Sequence, residues 1–261
     1  MTVTVSVLAS GSRGNTTFIK TSTTRILIDA GLSRKELAKR LMSIGEDPNG
    51  IDAVLITHEH NDHAAGLRTL VKGLKVQAFL TRGTLREIRA GEFELNGSTL
   101  IPISEGISFR VGDAEITPFA VPHDAAEPVA FSIYSDGIRV TQLTDIGHLT
   151  ENVAENLRES NVLILESNHD LEMLRIGPYP WSLKQRLMGR FGHLSNTGVA
   201  QFIREQFDGT ASHLMLAHLS ERNNHPAVAR QESMKALRDR GYKTAITLTS
   251  QQYPTAPIQL S

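Results

Sequence analysis

Apolar and polar residues alternate from the start of the chain: Val3-Thr4-Val5-Ser6-Val7-Leu8 has the period of two that predicts a strand over Val3 to Leu8. Short apolar runs bounded by turn residues predict further strands at Thr17 to Thr21, Arg25 to Asp29, Ala53 to Thr57 and Val76 to Leu80. A helical period interrupts them. Leu37, Leu41 and Ile44 share one face, and Ser33 followed by Glu36 reads as a capping box, so a helix is expected over Ser33 to Ile44 and another over Ala64 to Lys72. The middle returns to strands at Ile107 to Val111, Glu115 to Val121, Val129 to Tyr134 and Val140 to Thr144, with Ser135-Asp136-Gly137 as a hairpin turn. Thr150 caps a helix running through Leu157, and Asn161 to Glu166 and His213 to Ala217 are buried strands. Helices are expected over Asn196 to Phe207 and from Pro226 to Arg240, where proline suits a first turn. Strands interleaved with helices in both halves predict an α/β fold, two sheets covered by helices, with no linker or repeat to divide residues 1–261 into more than one domain.

Composition narrows the chemistry. At 261 residues with 40% hydrophobic and 21% charged residues, the chain is neither disordered nor a stapled miniprotein. It contains no cysteine, so any transition metal must be held by nitrogen and oxygen donors. A net charge of -1 gives no global attraction to nucleic acid or membrane. No window approaches the apolar length of a membrane span and no basic leader precedes the first strand, so a soluble cytoplasmic protein is expected.

Thr57-His58-Glu59-His60-Asn61-Asp62-His63 follows the apolar run Ala53-Val54-Leu55-Ile56, which places several metal-ligand types on a loop leaving a strand end. Because the chain turns within the segment, His58, His60, Asp62 and His63 can aim at two neighbouring points, a geometry that suits two metal ions. A lone loop histidine is usually a solvated or capping residue. Three histidines and an aspartate in six positions are not explained that way.

This segment resembles the H-x-H-x-D-H signature of the metallo-β-lactamase superfamily. Later strand ends offer His123 after Val121-Pro122, Asp145 after Leu143-Thr144 and His218 after Leu216-Ala217, in the order that family uses, and Asp29-Ala30-Gly31 matches its early D-x-G turn. The resemblance implies the αββα metallo-β-lactamase sandwich, two mixed sheets flanked by helices. It further implies that His58, His60 and His123 hold one metal, Asp62, His63 and His218 the other, and that Asp145 bridges them, while Asp29 orients the loop by hydrogen bonds. Three more blocks, Leu8-Ala9-Ser10-Gly11-Ser12-Arg13-Gly14-Asn15, Phe191-Gly192-His193-Leu194-Ser195-Asn196 and the run from His218 to Pro226, resemble the YycJ/WalJ-like group of small members, whose characterised relatives are DNA exonucleases. The chain lacks room for the inserted domain of the larger β-CASP nucleases and for the flexible arm of RNase Z, which argues against tRNA processing.

The implied activity is a binuclear metal-dependent phosphodiesterase acting on DNA, an exonuclease, with 5′ to 3′ as the polarity considered and DNA repair as the setting. Two divalent ions, manganese or zinc with iron as a further option, would acidify a water from a pKa of about 15.7 toward about 7 and polarise a phosphoryl oxygen. Asp62 would hold metal and orient the attacking water, and is expected to be catalytic with His193. His193 lies in a Gly-His-Leu-Ser turn before a helix, where it either protonates the leaving oxygen, holds the phosphate, or merely packs. Glu166 could pair with it. Expected substrate contacts are Ser12, Arg186, Arg190, Ser195 and Asn223. Two acid-free stretches, one with Arg175, Lys184, Arg186, Arg190 and Arg204 and the other with Arg68, Lys72, Lys75, Arg82 and Arg86, read either as phosphate contacts or as solvated faces. Trp181 is either a base-stacking platform or core. DNA is the expected partner, no membrane is, and the oligomeric state stays open. The alternative activity is a thioester or lactone hydrolase of the same fold, against which the basic stretches argue.

Overall fold

In the computed structural model, which describes residues 2–90 and 99–261, the alternating opening segment is strand β1 (Val3–Ala9), and all of it is buried. Alternation here does not mark a solvated face. Ser6 is wholly buried and donates from Oγ to the carbonyl of Thr255 at 2.9 Å, which offsets the cost of desolvating its hydroxyl.

The chain divides into two compact units. The first comprises Met1–Ala120, Ala125–Ile138 and Ser250–Ser261. After β1 come β2 (Thr16–Lys20), β3 (Arg25–Ile28), α1 (Arg34–Ser43), β4 (Ala53–Leu55), α2 (Asn61–Ala64), α3 (Leu67–Leu74), β5 (Gln77–Thr81), α4 (Arg82–Ala90), β6 (Leu100–Ile103), β7 (Phe109–Val111), β8 (Ala114–Ala120) and β9 (Val129–Ser135). Strand pairing is antiparallel from β1 through β3 and parallel from β3 through β6. Because β3 and β4 run parallel with Ile28 opposite Leu55, the loops that follow them leave the same sheet edge. That register brings Asp29 to the histidine loop.

Two expectations are modified here. Ser33 caps α1 by accepting from the amide of Glu36 at 3.3 Å, but the Glu36 carboxylate turns to Arg40 (2.9 Å) instead of closing a capping box. The helix expected over Ala64 to Lys72 is split into α2 and α3, since the metal-type loop itself becomes helical from Asn61, and Gly66 sits where a Cβ would run into the carbonyl of Leu32. Asp136 and Gly137 both have positive φ, as the turn read from Ser135-Asp136-Gly137 requires.

The second unit comprises Val121–Asp124 and Arg139–Thr249. It carries nearly all of β10 (Ile138–Leu143), then α5 (Glu151–Leu157), β11 (Val162–Glu166), α6 (Leu171–Ile176), α7 (Trp181–Leu187), α8 (Asn196–Glu205), β12 (His213–Ala217), α9 (Pro226–Asp239) and β13 (Ala245–Leu248); β14 (Ile258–Leu260) returns to the first unit beside β1. Strands β10 to β13 are all parallel, with Leu143, Leu165 and Leu216 in one row, so Asp145, Glu166 and His218 gather at adjacent carboxyl ends. Open α/β sheets bind ligands at such ends. The short elements α6, α7, β6, β13 and β14 carry too little periodicity to be read from sequence, whereas α4 is an amphipathic helix that the sequence expectations leave out.

The architecture is α/β, with two mixed β-sheets flanked by helices. Among the described residues, no helix is long and apolar enough to cross a membrane.

Candidate metal centre

In the first unit, Asp29 is fully buried and takes a left-handed backbone (φ 64°) at the end of β3. Its Oδ1 accepts from the amide and hydroxyl of Thr57, each at 2.9 Å, and its Oδ2 accepts from His63 Nδ1 at 2.8 Å. The last bond fixes the His63 tautomer with the proton on Nδ1 and leaves Nε2 as the basic nitrogen, the arrangement of a metal-binding imidazole. Asn15 completes the support. Its Oδ1 accepts from the amide of Gly11 (2.8 Å), which turns the amide nitrogen toward His63 Nε2 (3.0 Å) and Asp62 Oδ2 (3.3 Å). This one amide thus holds His63 Nε2 and the Asp62 carboxylate side by side. His58 Nε2 and His60 Nδ1 lie 3.0 Å apart with their rings edge-on, so these two nitrogens also converge. Glu59, inside the same motif, turns away and accepts from the amide of Ala126 at 2.8 Å.

Backbone bonds lace this loop to its neighbours: Asn15 N to Asp62 O at 2.7 Å, Gly31 N to Asn15 O at 3.0 Å, and Ala30 N to His63 O at 2.7 Å. Gly31 must be glycine because a Cβ there would overlap the Asp62 carbonyl oxygen.

In the second unit, Asp145 (φ 58°) and His218 (φ 54°) also take left-handed backbone just past their strands. That conformation costs a non-glycine residue roughly 1 kcal/mol or more and concentrates at functional sites. Glu166, at the end of β11, is completely buried, and its Oε1 accepts from both His193 Nδ1 and His218 Nδ1 at 2.8 Å. Its Oε2 accepts from the amides of Ile146 (3.0 Å) and Leu194 (2.9 Å). Burial pushes this carboxyl up, but attraction and hydrogen bonds from His193 and His218 outweigh it and hold the group well below the ordinary carboxylate range. For His193, burial acts to lower the pKa, yet the charge and hydrogen bond of Glu166 and the charge of Asp145 leave it raised. Ligand-type atoms of Asp145, Glu166, His193 and His218 all lie within 4.8 Å of one another. His123, buried after β8, has its ring 5.6 Å from that of His193.

The donor sets fit divalent cations. Buried imidazoles whose Nδ1 protons go to carboxylates keep Nε2 for a Lewis acid, and buried anions of this density call for a positive partner. Glu166, engaged by four donors, orients the histidines instead of adding a ligand.

The expected substrate contacts are placed unevenly. Ser12 is exposed in the turn after β1, whereas Asn15 three residues on, which sequence reasoning left unassigned, supports the loop. Ser195 is the N-cap of α8, its Oγ accepting from Gly198 at 3.0 Å, and Asn223 is 1% exposed. Arg186 is exposed but ion-paired with Asp124 at 2.8 Å, and Arg190 lies 3.4 Å from His148 Nε2. Lys184 is buried and donates to the carbonyl of Arg175, and Arg204 pairs with Asp239 at 3.4 Å, so this basic stretch is largely consumed within the protein. Trp181 is 61% exposed, which removes the core reading of that residue.

Residues 24–219 match the β-lactamase superfamily domain, and the chain belongs to that superfamily. Within it, the chain is 34% identical over 243 residues to exodeoxyribonuclease YycJ of Bacillus anthracis, covering 91% of this chain and 90% of that protein. It is 34% identical over 221 residues to exodeoxyribonuclease WalJ of Streptococcus pneumoniae, covering 84% and 82%. The metallo-β-lactamase fold protein YhfI from Bacillus subtilis superimposes with a TM-score of 0.73 at 15% identity, covering 98% of this chain and 99% of that one, which establishes the shared fold.

Proposed function

We propose that this protein is a binuclear metal-dependent phosphodiesterase that removes nucleotides from DNA ends. The observation that carries this reading is identity at 34% along nine-tenths of the chain to an exodeoxyribonuclease, in a chain whose strand-end loops hold converging imidazole and carboxylate donors. In this reading His58, His60 and His123 hold one ion, Asp62, His63 and His218 the other, and Asp145 serves both; manganese or zinc suits nitrogen and oxygen donors of this kind. The superfamily match spans residues of both compact units, which supports their acting as one domain. DNA as substrate suits a cytoplasmic enzyme.

When bound, the two ions supply charge neutralisation of the phosphate and an acidified water. The chain supplies the rest. Asp62 keeps a carboxylate oxygen to orient the attacking water. His193, with Nδ1 held by Glu166 and a raised pKa, carries a proton that it delivers from Nε2 to the leaving oxygen, or meets the scissile phosphate as a cation. Asp29 and Asn15 keep the ligand loop in place so that no reorganisation accompanies the reaction.

The test is hydrolysis of end-labelled duplex, nicked and single-stranded DNA by metal-free protein and by protein reconstituted with manganese or zinc. Metal-dependent release of nucleotides from an end is expected, and the labelled end that is lost first gives the polarity. Turnover of thioesters with intact DNA would support the alternative hydrolase instead.

A further inference from the structure

The second unit contains a cavity of about 270 Å³ with His193 in its wall. One side of it is a single face of α8: Ser195, Gly198, Gln201, Phe202 and Glu205 recur at spacings of three and four residues. Ten helical residues at 1.5 Å each carry this face about 15 Å from the His193 end to Glu205. Met188, Leu149 and Leu171 supply apolar surface elsewhere in the lining.

The chemistry of the lining selects a ligand. No lysine or arginine lines the cavity, and its end away from His193 carries Glu205, which would repel a phosphate there. Apolar side chains with a few groups able to donate or accept are what a flat heteroaromatic ring needs. One of those groups is waiting. His169 is 1% exposed and lines the cavity, yet its Nδ1 has no hydrogen-bond partner among the described residues. Its backbone is fixed beside the cap of α8, the carbonyl accepting from the amide of Asn196 at 2.9 Å. Burial keeps this imidazole at a pKa of about 4 and therefore neutral, able to meet either a donor or an acceptor on a base edge. An orphaned buried polar atom costs stability unless something satisfies it.

We propose that this cavity seats the base of the terminal nucleotide while His193 meets the adjoining phosphate, an inference that rests on the DNA-end reading above. A seat for one base reached from a chain end would favour stepwise removal of nucleotides over cleavage within a strand.

The experiment compares reconstituted protein on duplexes whose terminal nucleotide carries or lacks its base, in the wild type and in Gln201→Trp, which fills the cavity from an exposed position of α8. With the base seated, the wild type should favour the intact end by about tenfold in kcat/KM. That preference should fall to near unity in Gln201→Trp. Equal rates on both ends in the wild type would overturn the base seat while leaving the nuclease reading standing. A tenfold preference that survives Gln201→Trp would overturn it too, by placing the base elsewhere. If no DNA is cut with any metal, the nuclease reading itself fails and takes the seat with it.

Discussion

His193 donates from Nδ1 to Glu166 Oε1 at 2.8 Å, the same oxygen that accepts from His218 at the same distance. One buried carboxylate thus orients a metal-type histidine and the histidine proposed to serve the leaving oxygen or the phosphate. Glu166→Gln keeps the size of the side chain and removes its charge. Groups that orient metal ligands are worth about 10- to 100-fold, so nuclease activity should fall by roughly that much, with weaker metal retention seen by elemental analysis after dialysis. Full activity with tightly held metal would remove Glu166 from this role.

His193→Ala should lower DNA cleavage by about 10²- to 10⁴-fold with metal content unchanged, since the metal ligands proposed above do not include it. A p-nitrophenyl phosphodiester, whose leaving group needs no proton, separates the two roles. Near-normal turnover of that ester assigns proton donation, and an equal loss assigns phosphate holding.

Gly31→Ala is expected to be among the most damaging single-methyl changes in the chain. The added Cβ meets backbone, the Asp62 carbonyl and the Asn15 amide, which cannot turn aside as a side chain would. Loss of bound metal together with a fall in Tm should follow, whereas Gly45→Ala, with nothing near its Cβ but a φ of 81°, should cost only backbone strain.

The ion pair between Arg186 and Asp124 gives a salt-dependence prediction. Removing the carboxylate in Asp124→Ala releases Arg186 for a phosphate, so DNA affinity should rise at low salt and the slope of log K against log salt should steepen by up to about 0.9 for duplex DNA. No change in slope on binding titration would confine Arg186 to the surface.

Asp113 offers a pH prediction away from the metal loops. Burial pushes its carboxyl up, but hydrogen bonds from Thr21 (2.6 Å), Thr24 (2.5 Å) and the amide of Thr23 (3.2 Å) bring it down to about 2 from an ordinary 3.8. Since the folded-state value is the lower one, these bonds stabilise the fold above about pH 4, and their contribution is lost as pH falls toward 2. Asp113→Asn should therefore melt below the wild type at neutral pH, and the two should converge as the solution approaches pH 2.

Local pattern was enough to place the strand that ends before His58, the Thr150 cap, the wholly buried β11 and the His213–Ala217 strand, because burial periodicity and capping are properties of neighbouring residues. The ligand types were legible for the same reason: four fall within six positions, and the others each follow an apolar run. Tertiary structure decided what supports them. Asn15 reads as part of a glycine-rich turn until it is seen to meet Asp62 and His63, 47 and 48 residues away. Glu166 reads as the end of a strand until donors from Ile146, His193, Leu194 and His218 close on it. Arg186 reads as a free cation until Asp124, 62 residues earlier, neutralises it. A sequence encodes which residues seek burial and where turns fall, but the partners of a buried polar atom depend on strand register, and register is settled only when distant strands pair.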